Sequence, residues 1–373
     1  GSTDTNAQNG TNKSKDSERR KTPIIPFSDL LLASWSTRFK LGDIKVQRFG
    51  HPLLSNLSTS ISTMALFSSL SSSAANEDGK KQRPKSHNRL VYGKDDILFG
   101  SIEERQGDRP FGRVLDAGTG MHSLRWIATL SETLGMEHVT CITADETMRK
   151  NVQREADDLE ITDVSKVIIG NWFGPDGTTS INLKPESFDV ILADYLIGAM
   201  DGFSPYQQDL MLPKLVRYLK PGGRLYIVGL EPLPDKAPGD ANIICKVRQV
   251  RDACILLGGH RCYREYPMQW MERQIEHRSS HLKLIHTSTF PILYRHQTIV
   301  NQINVGRSKF SLFPTKELAA SMKKVMDDLE AQSLEATSRA PNGRIRLGFD
   351  YVITAEKTDD AKAVTMEGVC IER

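Results

Sequence analysis

Three places in the chain gather residue types able to hold a ligand or move a group. The first is Asp116-Ala117-Gly118-Thr119-Gly120, directly behind the apolar pair Val114-Leu115. Two glycines one residue apart let the backbone turn sharply beneath a ligand and bring its N–H groups, with the start of a helix, close to it. A dinucleotide loop would carry a third glycine at position 123; Ser123 stands there, so a pyrophosphate fits poorly. His122 sets a polar ring beside the loop, either as a base or simply as part of the first helical turn. The second place is a series of polar residues, each just past a later apolar run: Asp145 and Glu146, Asn171 with Trp172, Asp194 with Tyr195, and Glu231. The third is an aromatic and basic stretch holding Tyr263, Tyr266, Trp270, Tyr294, Arg295 and His296. Aromatic rings there would enclose a small acceptor, and Arg295 with His296 would hold a carboxylate, since a guanidinium pairs with it through two bonds. A solvated basic surface is the alternative. No Gly-x-Ser-x-Gly elbow and no metal-ligand spacing is present, and no metal is expected.

Positioning these residues falls to a regular alternation of strands and helices. From residue 113, short apolar runs at 114–116, 138–142, 167–169, 188–193 and 224–229 read as strands. Helical periodicity at 148–159, 207–219 and 241–257, and after Gly120 with Leu124, Ile127, Ala128 and Leu134 on one face, fills the intervals. Pro221-Gly222-Gly223 and Gly258-Gly259 are stop signals. Such alternation builds a parallel sheet with helices on both faces, and ligands of such sheets lie outside the carboxyl ends of the strands. Residues 315–333 predict an amphipathic helix with Leu318, Met322, Val325, Met326 and Leu329 inward, and 349–355 predict a closing strand.

Read in order, these motifs resemble the class I, Rossmann-like S-adenosylmethionine (SAM)-dependent methyltransferases over roughly residues 113–233, and more loosely to the closing strand. The resemblance implies a doubly wound α/β fold, a seven-stranded and mostly parallel sheet, with an N-terminal extension and a C-terminal cap insertion. It implies SAM as cofactor, with the loop Asp116, Gly118, Thr119 and Gly120 around its methionine portion. His122 replaces that loop's usual third glycine. The acid that would bind the ribose hydroxyls is missing at Thr143, and Asp145 is the nearest substitute. Asn171 is implied at the adenine amine and Trp172 against the adenine face, a core tryptophan being the alternative. Asp194 and Tyr195 would face the transferred methyl; with His122 they are the candidate bases. In-line methyl transfer needs chiefly a nucleophile held ~3 Å away in a desolvated pocket. The expected activity is methyl transfer to a small, acidic metabolite through N, O or S. A macromolecular acceptor, aminopropyl transfer as in spermidine synthases, and a silent SAM-binding scaffold stay open.

The 373 residues allow one large domain with additions, and 39% apolar with 25% charged residues is ordinary for a globular chain. Forty-nine basic against 46 acidic residues give a net charge of +3, too balanced to imply nucleic acid. Five cysteines without a CxxC pair read as buried thiols in a reducing compartment. No apolar run approaches the ~18–20 residues that span a bilayer, so no membrane partner is expected. Gly1-Ser2 reads as a cleavage scar and 1–22 as a disordered linker. The Ser-rich, acid-poor segment 23–89 reads as a transit-like leader, a lid or a dimer arm, leaving cytoplasmic and organellar locations and a homodimer open. The methyltransferase domain is expected over 90–357, its substrate cap over 261–314, and a tail over 358–373.

Overall fold

The computed structural model describes Gly1 and residues 96–174 and 179–359. The expectations for residues 2–95 and 360–373 lie outside these.

Helix α1 (Ile97–Gln106) starts at Asp96, whose Oδ1 accepts from the N–H groups of Leu98 and Phe99 at 3.1 and 3.2 Å. Strand β1 (Gly112–Asp116), helix α2 (Met121–Thr133), strand β2 (Met136–Thr143) and helix α3 (Glu146–Asp158) follow. Next come β3 (Ser165–Ile169), β4 (Phe188–Asp194), α4 (Leu196–Phe203), α5 (Met211–Val216) and β5 (Leu219–Leu230). Helices α6 (Asn242–Leu257) and α7 (Met268–Arg273), strand β6 (Leu282–Tyr294), helices α8 (His296–Arg307) and α9 (Lys316–Arg339), and strand β7 (Ile345–Lys357) complete the described chain.

The strands form one sheet in the order β3-β2-β1-β4-β5-β7-β6, with β1 to β5 parallel and β7 antiparallel to both its neighbours. This is the seven-stranded class I methyltransferase-like α/β fold that the motif order implied. Alternation along each strand feeds two cores. Val114, Val139, Val190 and Val228 pack with α1, α2 and α3 on one face. Leu115, Ile142, Ile191, Ile227 and Ile353 pack with α4, α5 and α7 on the other. A third cluster joins α6, α8 and α9 through Ile243, Val247, Ile299, Ile303, Met326 and Leu329.

Three local expectations are corrected. The segment 261–314 is not one cap: its residues 282–294 are the edge strand β6, paired along β7. Its sequence hid this because an edge strand exposes alternate residues, and polar Lys283, His286 and Thr289 break the apolar run. Val325 is exposed, since the buried stripe of α9 runs Met326, Leu329, Ser333 and Ala336. The helix expected over 207–219 is shorter, because Leu219 already pairs with Phe188 in the sheet.

Candidate functional site

Register brings the carboxyl ends of the parallel strands level. Asp116 is opposite Leu192, Asp194 opposite Val228, and Leu230 opposite Asp350 of the antiparallel β7. Two hollows open along this edge, on either side of α4.

The first lies at the ends of β1, β2 and β3. Asp116 is fully buried; its Oδ2 accepts from Ser123 Oγ at 2.7 Å, while Oδ1 has no hydrogen-bond partner. Burial pushes its carboxyl up to about 6, against the opposing pull of Ser123, Thr119 and the Gly118 backbone. Gly120 is the N-cap of α2, its N–H donating to Ser123 Oγ at 3.2 Å. Ser123, where a dinucleotide site would keep a glycine, therefore fastens both the acid and the helix start. Asp145 is the N-cap of α3, accepting from Met148 N at 2.7 Å. Thr143 is buried at the end of β2. Asn171 donates to Phe203 O at 2.9 Å and accepts from Ser204 Oγ at 2.7 Å, tying the end of β3 to α4. Trp172 is buried and donates to Ala117 O at 2.7 Å, which sets it beneath the glycine loop as a core residue.

This hollow is nearly filled. Leu196, Ala199, Met200 and Phe203 of α4 line it with Gly118, Thr119, Thr143 and Asn171, leaving about 30 Å³. That is room for about two waters, far below the ~300–1,000 Å³ of typical small-molecule sites. A Cβ on Gly118 would meet Leu196 Cδ1 at 2.9 Å, so α4 presses directly on the loop.

The second hollow, about 320 Å³, lies at the ends of β4, β5, β7 and β6 beneath α6 and α8. Tyr195 turns the chain from β4 into α4 in the left-handed region, φ 47° and ψ 19°. A bulky residue held there costs ~1–3 kcal/mol and persists only when its surroundings fix it. Here its N–H donates to Val228 O at 3.0 Å, and its hydroxyl donates to Asp350 Oδ1 at 2.8 Å. Glu265 enters from the segment after α6 and lies against α4: a Cβ on Gly198 would stand 2.8 Å from Glu265 Oε2 and 3.1 Å from Arg264 O. Only glycine at 198 allows that approach. Burial, and next the charge of Asp350, pushes the Glu265 carboxyl up to about 8, with Arg251 opposing. Tyr294 also lines the cavity, and burial raises its phenol above the ordinary value.

The other expected residues fall as follows. Asp194 is buried at the end of β4, beside Tyr195. His122 sits in the first turn of α2 with its Nε2 2.8 Å from Asp96 Oδ2 and its ring 4.9 Å from Phe99, so it anchors α1. Tyr266 and Trp270 pack on each other at 4.6 Å against the second core and do not line the cavity. Arg295 is exposed at the start of α8, and His296 Nδ1 pairs with Ser333 Oγ at 2.9 Å, so neither reaches the cavity. Glu231 is no loose loop acid: its Oε2 accepts from Met268 N at 2.9 Å at the start of α7.

Sequence reasoning missed Glu265, Asp350 and Arg251 as cavity residues. Glu265 stood inside the aromatic stretch as a lone acid, a signal that was available. Asp350 gave none, because only the antiparallel pairing of β7 carries it to this edge.

No protein-family model and no curated protein matches the chain. Among solved structures, the YcgJ protein of Bacillus subtilis is 17% identical, with a TM-score of 0.45, covering 70% of this chain and 98% of that one. A SAM-dependent methyltransferase of Thiobacillus denitrificans in complex with S-adenosylhomocysteine is 13% identical, with a TM-score of 0.40, covering 70% and 91%. One of Geobacter sulfurreducens, also in complex with S-adenosylhomocysteine, is 15% identical, with a TM-score of 0.37, covering 66% and 85%. At this distance they carry no residue's role to this chain, and the class rests on its own strand order: a class I methyltransferase-like fold. Among the described residues no helix is long and apolar enough to cross a membrane.

Proposed function

We propose that the protein transfers a methyl group from SAM to a small molecule bound in the cavity beside Tyr195. One observation carries this: a buried acid with an unpartnered oxygen, Asp116, in a glycine loop at a helix start, one helix away from a cavity large enough for a metabolite. The donor set suits SAM. Asp116 would take its ammonium, the backbone of Gly118 to Gly120 its carboxylate, Asp145 the ribose hydroxyls and Asn171 the adenine amine. Bound there, the sulfonium supplies an activated methyl. Asp116 holds the charge, Tyr195 and Asp194 border the path to the acceptor, and α4 with the segment 261–266 excludes water. Room for SAM requires the side chains of Leu196, Met200 and Phe203 to swing away from the glycine loop.

An acidic acceptor loses its support, because Arg295 and His296 are turned away from the cavity. The test is calorimetry with S-adenosylhomocysteine, followed by incubation of metabolite pools with methyl-labelled SAM and mass identification of what is labelled. Saturable binding that Gly118→Val abolishes is expected. A second reading, a silent scaffold that no longer binds SAM, is favoured by the filling of the cofactor hollow by α4 and by Thr143 in place of an acid. Absence of binding at millimolar S-adenosylhomocysteine would overturn the methyltransferase in favour of the scaffold.

A further inference from the structure

The cavity beside Tyr195 is built for one kind of head group, an inference that rests on the methyl-transfer reading above only for what happens to the ligand once bound. Its walls are aliphatic, among them Leu233, Ile244, Val247 and Ile299. Of the three arginines along it, Arg264 is exposed, and Arg251 and Arg248 are already paired within the protein. Arg251 holds Asp252 Oδ1 at 2.7 and 2.9 Å and also bonds Gln302 Oε1, and Arg248 holds Asp235 at 2.9 Å. Of its acids, Asp252 is held by Arg251 and Asp350 accepts from the Tyr195 hydroxyl, whereas Glu265 accepts no hydrogen bond among the described residues. A half-buried carboxyl lining an apolar cavity, with no ion pair among the described residues, is costly there unless a ligand supplies a cation.

We propose that the acceptor is a small molecule with a basic amine on an apolar body, its nitrogen held between Glu265 and Asp350, with Glu265 as the group that takes its proton. An ammonium has no lone pair to attack with, so a proton must leave first. The Glu265 carboxylate takes that proton and leaves the neutral amine. Its lone pair then forms the N–C bond as the C–S bond breaks, and that bond's electron pair stays on sulfur. The methylated nitrogen carries the positive charge and stays paired with Asp350. A carboxyl near 8 stands far closer to an amine's own range than a free glutamate does, which is the match proton transfer needs. The groups coupled to Glu265 are Asp350 and Tyr351 on β7, Arg251 on α6 and Tyr294 on β6, with the Gly198 backbone of α4 against its Oε2. Of these, Asp350 raises the Glu265 carboxyl and Arg251 lowers it, so the two oppose each other.

The test uses the full chain and three probes with one body: 3-phenylpropylamine, 3-phenylpropanol and 3-phenylpropionate. Each is titrated calorimetrically at pH 8.5, with hexylamine, hexanol and hexanoate as a second set. The amine should bind at least tenfold more tightly than either partner in its set. Its affinity should rise from pH 6.5 to 8.5 as Glu265 ionises. Glu265→Gln should cost the amine tenfold or more, flatten that pH dependence and leave the alcohol unchanged; Asp350→Asn should act in the same direction. Equal affinity across head groups, preference for the carboxylate, or unchanged amine binding in Glu265→Gln would overturn the proposal. S-adenosylhomocysteine is titrated alongside. Amine selectivity without its binding overturns the methyltransferase alone, and its binding without amine selectivity overturns the amine site alone.

Discussion

Glu265→Gln should make the free protein more stable, by an amount that grows as pH rises above about 5. Glutamine keeps the shape of the protonated glutamate and cannot ionise. In the unfolded chain the carboxyl titrates near 4.5, and in the folded protein burial moves it up to about 8. The folded state therefore binds the extra proton between these values, and wild-type stability falls as pH rises through that window. At ~1.4 kcal/mol per pH unit the whole span is ~4–5 kcal/mol, and solvent reaching the carboxyl through the cavity cuts this to ~1–3 kcal/mol. For a folded region of this size that is about 3–8 °C in Tm. Melting scans of both proteins should coincide below pH 4.5, diverge from about pH 5, and be furthest apart at pH 9. Asp116, also raised, contributes its own slope to both proteins and cancels in the difference. Parallel curves from pH 4.5 to 9, or a variant that is less stable throughout, would refute burial as the cause of the shift.

Affinity for S-adenosylhomocysteine, followed by calorimetry, should fall as pH drops below about 6, where Asp116 protonates; Asp116→Asn should weaken it by ~1.5–3 kcal/mol and remove that dependence. Asp145→Ala should cost ~1 kcal/mol of stability through loss of the α3 cap and also reduce the ligand-induced rise in Tm, whereas Thr143→Ala should reduce that rise much less. Gly198→Ala sets a methyl 2.8 Å from Glu265 Oε2 and 3.1 Å from a backbone oxygen, so it should destabilise by ~1–3 kcal/mol in chemical denaturation. Arg295→Ala, at an exposed position, should shift stability by less than ~0.5 kcal/mol and leave amine binding at its wild-type value in the same titrations.

Local chemistry makes much of the protein legible in its sequence. Val114-Leu115-Asp116 followed by Gly118-Thr119-Gly120 announces a strand, a tight turn and a helix start through nearest neighbours alone. The period of the apolar residues likewise sets β1 to β5 in order, and with them the edge at which ligands bind. Asp116 and Asn171 stand out this way, since each is the first polar residue after an apolar run. What chain-local patterns do not encode is which side chain a distant element spends. His122 is taken by Asp96, His296 by Ser333, and Glu231 by the N–H of Met268, each a partner 26 or more residues away. The antiparallel insertion of β7 between β5 and β6 brings Asp350 level with Leu230, and the glycine at 198 lets Glu265 approach α4. The cavity's charge therefore belongs to no segment of the sequence. Burial decides its titration, because a glutamate exposed to water is an ordinary anion and the same group lining the cavity beside Asp350 is pushed up to about 8.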